Sequence, residues 1–156
     1  MKNSLILLLL VSCAAPGTRV PPSDLIVCGA DEVFILRLRD GAGPRKIWSW
    51  RAADHPELPE PFRKKFPTTV DCKPVEGGRK ILITSSGGAA ALVERATGKV
   101  LFYATAPNAH SAEIIPGNRV VAASSYKEEG TRLILYDLAV SDKPLASDHL
   151  YGAHGA

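Results

Sequence analysis

The chain has 156 residues, 46% of them hydrophobic, and a formal charge of +3 from 19 Lys and Arg against 16 Asp and Glu. That charge is slight, and no basic stripe is interleaved with aromatics, so nucleic acid is not expected as a partner. No Cys-x-x-Cys, His-Glu-x-x-His, phosphate loop or Gly-x-Ser-x-Gly occurs. The strong signatures of metal, nucleotide and nucleophile chemistry are therefore missing, and no catalytic residue, metal or cofactor is expected.

The chain opens on "MKNSLILLLLVSC", with one cation, Lys2, and an apolar core from Leu5 to Val11. That core is too short for a permanent membrane span and has the layout of a signal peptide, assigned to residues 1–13. Leu10-Val11-Ser12-Cys13 resembles the bacterial lipobox, and the resemblance implies lipidation at Cys13. Ala14 rather than Asp follows, so the resemblance gives no reason for retention at an inner membrane. Ordinary secretory cleavage near a following Ala, with Cys13 incidental, is the plain alternative. The expected address is the cell envelope, at the outer membrane or in the periplasm, with membrane contact only through the lipid anchor. Residues 14–23 follow as a Pro-rich flexible tether.

From residue 24 onward the pattern repeats. "LIVCGADEVFILRLRDGAGPRKIWSW" from Leu25, "ILITSSGGAAALVERATGKVLFYA" from Ile81 and "VVAASSYKEEGTRLILYDLAVSDKPLASD" from Val120 can be laid over one another. Each holds a short apolar run, a small or polar turn, a second apolar run and a charged turn. A further strand precedes the second and third units, where Val75 to Arg79 aligns without a gap on Ile115 to Arg119. Four short strands per unit, repeating at about 40 to 45 residues, predict β-propeller blades. Glu94 to Lys99 is then the turn between two strands of one blade, with Gly98 supplying its backbone freedom. No apolar stripe at helical spacing runs for long, which excludes a helical repeat.

Val93 to Phe102 resembles the repeat of quinoprotein-type (PQQ-like) propellers, in which an apolar-acidic pair leads to Thr-Gly-Lys and a closing aromatic. Phe102 stands where that repeat usually has Trp. "LILYDLAVSDKPL" resembles the tryptophan–aspartate (WD40) or YVTN type. The blend is similar to bacterial secreted propellers of uncharacterised function, and it implies a fold rather than a reaction. The expected fold is all-β: a partial propeller of roughly three to four blades of four antiparallel strands, over 24–156, from a six- to eight-bladed ring. The chain reads as a fragment of a longer protein, or else as a half-propeller that needs a partner.

A Pro-rich insertion, 51–71, interrupts the repeat with Pro56, Pro59, Pro61 and Pro67. A short helical turn after Pro61 would bring Phe62 and Phe66 to one side. Covering a sheet edge and contacting a ligand are equally open roles for it. Trp48 and Trp50 are expected to divide, one packing between blades and the other facing outward. Cys28 and Cys72 could pair in an exported chain, but each sits in a β-like apolar run where free thiols are common, and both states remain open.

The offset of 40 that aligns the strands also lays Asp71 and Lys73 over Ser111 and Glu113, and His154 begins a segment as His110 does. These positions enter the innermost strand of successive blades. Asp71, Lys73, His110, Glu113 and His154 are accordingly the ligand-binding candidates, ringing one mouth of the channel. Imidazoles and carboxylates meeting there could hydrogen-bond a sugar, transfer protons or hold a metal. The plain alternative is that they tie loops of neighbouring blades together. The function expected is recognition of a glycan, small molecule or envelope protein without catalysis. The alternative is a propeller enzyme, a hydrolase, lactonase or polysaccharide lyase using the His/Glu ring.

Overall fold

The structure is a computed structural model that describes residues 24–39, 41–126 and 130–153. The expected leader, its lipidation site Cys13, the tether and His154 lie outside the described residues. The chain forms three antiparallel sheets in sequence. Sheet 1 holds β1 (Asp24–Gly29), β2 (Glu32–Arg39) and β3 (Ala42–Trp50). Sheet 2 holds β4 (Thr69–Val75), β5 (Lys80–Ser85), β6 (Ala89–Glu94) and β7 (Val100–Thr105). Sheet 3 holds β8 (Ala109–Ile115), β9 (Arg119–Tyr126), β10 (Gly130–Asp137) and β11 (Pro144–His149). Within each sheet neighbours in sequence are neighbours in space and pair antiparallel. This is the architecture of a partial β-propeller.

The blades correspond to one another strand by strand. β1 lies against β4 as β5 lies against β8. Sheet 1 thus presents the second to fourth strands of a blade, and its repeat starts at Leu25 for the same reason that sheet 2's aligned segment starts at Ile81. The innermost strands are β4 and β8, which lie beside each other. The charged turn of sheet 2 closes as its residues demand: the Glu94 amide donates to the Lys99 carbonyl at 2.9 Å and the Gly98 amide to Glu94 at 2.8 Å. Gly98 sits at φ 75°, where a side chain would be strained.

Packing follows from the two-residue period of a strand. On β5, Ile81 and Ile83 enter a core shared with Val33 and Ile35 of sheet 1, while Leu82 enters a second core with Val120 and Tyr136 of sheet 3. On β6, Ala89, Ala91 and Val93 face the first core and Leu92 the second. The central strands β5 and β6 are buried on both faces, which explains why they read as nearly continuous apolar runs. Ala104, Ala106, Ala109, Ala112 and Ala122 line the second core, and such small side chains let neighbouring sheets approach closely.

The segment between β3 and β4 occupies 51–68, and β4 begins at Thr69, so the insertion is shorter at its end than the sequence pattern indicates. Thr69 is β-branched and already pairs with Ser85 of β5, which moves the boundary. α1 (Glu60–Arg63) is the short helical turn, with Pro61 in its first turn. Leu58, Phe62 and Phe66 are buried in the first core, and the Phe62 ring lies 4.5 Å from Tyr103 of β7. Arg63 ties the segment to itself through the Leu58 carbonyl at 2.7 Å, and Lys65 reaches Thr105 at 2.9 Å. Of the two roles left open for this segment, its apolar side chains take the covering one.

The tryptophans depart from expectation. Two residues apart on one strand, Trp48 and Trp50 necessarily share a face, and both pack on the first core. Trp50 stacks on His55 and meets Phe66 edge-on, while the Trp48 indole donates to the Arg95 carbonyl at 2.8 Å. Neither offers an outward aromatic platform.

Candidate functional site

β4 and β8 carry the same irregularity. Thr69 pairs with Ser85 and Asp71 with Thr84, leaving Val70 as an extra residue; Ala109 pairs with Ser124 and Ser111 with Ala123, leaving His110. These are β-bulges at equivalent places in consecutive blades, and a bulge re-aims the residues that follow it. Asp71 and Lys73 follow the first bulge; Ser111 and Glu113 follow the second.

The two strands bring these four side chains together. Ser111 Oγ donates to Asp71 Oδ2 at 2.9 Å. Lys73 Nζ donates to Ser111 Oγ at 2.9 Å, to the Ala112 carbonyl at 3.0 Å and to Glu113 Oε2 at 3.3 Å. The Lys73 ammonium also lies 3.6 Å from Asp71 Oδ2. One cation is thus held between two carboxylates, with the Ser111 hydroxyl linking Lys73 to Asp71. The side chains of Asp71, Lys73 and Glu113 are 28%, 30% and 47% exposed, so the cluster is anchored but open to solvent. Such a mixed array can donate to and accept from a hydroxyl-rich or zwitterionic ligand without moving its backbone.

Three of the five residues proposed from sequence therefore meet: Asp71, Lys73 and Glu113. His110 occupies the bulge beside them, half-buried, and His154 lies outside the described residues. Ser111 was missed. Its signal was present, since the 40-residue offset that paired Lys73 with Glu113 also pairs Asp71 with Ser111. Among the described residues no group of three or more His, Cys, Asp and Glu is placed to hold a metal ion. Clefts of about 400 and 300 Å³ open where sheets 2 and 3 meet, and none of the four described candidates lines either one.

Residues 16–152 match the model of a family described as "Family of unknown function (DUF6528)". The chain belongs to that family. No curated protein matches this DUF6528 chain. Among solved structures it is similar to the WD40 β-propeller domain of Doa1, with a TM-score of 0.60 at 10% identity, over 85% of this chain and 39% of that one. At that identity the likeness establishes the fold alone. The chain spans about two-fifths of the length of that propeller, in keeping with its three sheets.

Proposed function

We propose that this DUF6528 propeller is an exported, lipid-anchored recognition module of the bacterial cell envelope that binds its ligand without catalysis. The observation that carries the reading is the Asp71–Lys73–Ser111–Glu113 cluster, which is built by two blades and left open on their innermost strands. Propeller rims and channels are rigid scaffolds on which such polar groups recognise ligands. The mixed charge suits a polyhydroxylated or zwitterionic envelope component, a glycan first among them. The likeness of Val93 to Phe102 to PQQ-type repeats is taken as kinship of the repeat, with no cofactor attached. Lipidation at Cys13 supplies the membrane contact.

Binding is tested by titrating the intact protein against a panel of envelope glycans and comparing Lys73→Met and Glu113→Gln variants. Saturable binding, weakened at least tenfold in both variants while the melting temperature holds, is the expected result. Binding as tight in both variants as in the wild type would overturn the site. Hydrolytic or lyase turnover of the glycan that disappears in His110→Ala would favour the enzyme reading instead. Metabolic labelling with a fatty-acid analogue tests the address: label is expected on the wild type and absent from Cys13→Ser.

A further inference from the structure

Thr69 pins β4 to the end of β1. Its amide donates to the Ala30 carbonyl at 2.7 Å and its hydroxyl to the same carbonyl at 3.0 Å. From that point the two strands run in opposite directions. Cys28 lies two residues back along β1, and Cys72 lies two ladder positions on along β4, because Val70 is the bulged residue that does not count. The two cysteines therefore face each other across the junction of sheets 1 and 2. Both pack against the same core and both are half-buried.

We propose that Cys28 and Cys72 are a redox-reversible dithiol site whose disulfide staples sheet 1 to sheet 2 directly beneath the Asp71–Lys73 cluster. The reactant is a disulfide-bearing oxidant. Cys28 is the attacking sulfur: burial raises the pKa of both thiols, and Cys72 is raised further. The Cys28 thiolate attacks one sulfur of the oxidant and expels the other as a thiolate, leaving a mixed disulfide. Cys72 then loses its proton, attacks the Cys28 sulfur and releases the second thiol. Two electrons pass from the pair to the oxidant, which leaves as two thiols carrying the two protons. Cys72 stands between Asp71 and Lys73 in β4, so the cross-link fixes the strand that presents both.

The experiment treats the full chain with oxidised glutathione, followed by alkylation, intact mass and peptide mapping. The expected product has lost about 2 Da, contains a Cys28–Cys72 linked peptide and melts roughly 10 °C higher, all reversed by dithiothreitol. Cys72→Ser should instead trap a glutathione adduct on Cys28 that the wild type does not accumulate. Wild-type protein that keeps both thiols would overturn the proposal. So would separate adducts on the two cysteines, or a link that joins either of them to Cys13.

Discussion

The same connection, from the outermost strand of one blade to the innermost strand of the next, is made twice and differently. Between β3 and β4 it takes residues 51–68 and delivers Leu58, Phe62 and Phe66 into the junction of sheets 1 and 2. Between β7 and β8 it takes only 106–108, and Ala106 is what it buries. The second junction is sealed from the other side, by the loop that links β10 to β11. Asp142 accepts from the Thr105 amide at 2.8 Å, and Ser141 accepts from the Tyr103 amide at 3.3 Å. Those amides lie on the open edge of β7, so side chains of the next blade satisfy donors that would otherwise invite another strand. One repeat thus solves one problem by two means, aromatic burial at the first junction and edge hydrogen bonds at the second.

Breaking the aromatic solution has the largest expected effect. Phe66 is 1% exposed and meets the Trp50 ring edge-on. Phe66→Ala should cost about 3–5 kcal/mol of stability, read from denaturant midpoints. A loss below about 1 kcal/mol would mean that 51–68 rests on the first junction without sealing it. Gly87→Ala probes the same segment from the opposite side. A Cβ there would come 2.6 Å from the Lys65 carbonyl oxygen and 2.9 Å from Pro67 Cδ. Backbone cannot yield cheaply, so about 1–3 kcal/mol of destabilisation is expected. A stabilised variant would show that the β5–β6 turn is not held against the insertion.

The hydrogen-bonded junction should respond less. Tyr136 is buried, packs edge-on against Phe102 and donates its hydroxyl to the Thr105 carbonyl. Burial pushes its phenol well above the ordinary tyrosine range, so it stays a donor at any pH the fold tolerates. Tyr136→Phe keeps the ring and removes the bond, for an expected loss of about 1–2 kcal/mol. A loss as large as that of Phe66→Ala would erase the distinction between the junctions.

The repeat was legible because each blade spells its strands in the same order, and the 40-residue offset placed Lys73 opposite Glu113 before any coordinates. Three features were not legible. A bulge leaves no fixed residue type, so Val70 and His110 gave no sign that they stand outside the ladder. Whether Phe62 and Phe66 cover a junction or greet a ligand depends on what the fold sets beside them, here Tyr103 and Trp50. Cys28 and Cys72 lie 44 positions apart, and it is the Thr69 hydrogen bonds to the Ala30 carbonyl, formed only in the fold, that set the register making them neighbours.

Charge separates the junctions most gently. Asp24 on β1 accepts from Arg37 Nε at 2.8 Å and from its terminal nitrogen at 3.0 Å, and it lies 3.7 Å from Arg95 across the first junction. The Arg37 hydrogen bonds hold the Asp24 carboxyl below the ordinary aspartate range, outweighing burial, with the charges of Arg37 and Arg95 adding to them. A carboxylate whose folded pKa is depressed contributes stability above its unfolded value, about pH 4, and that contribution is lost as pH falls through the lower folded value. Asp24→Asn should therefore be slightly less stable than the wild type at neutral pH, and the two stability curves should converge in acid. Urea midpoints taken from neutrality downward would show the convergence. A gap that persists unchanged below the folded value would mean that the Asn side chain disturbs packing, and that the ionised carboxylate contributes nothing across the first junction.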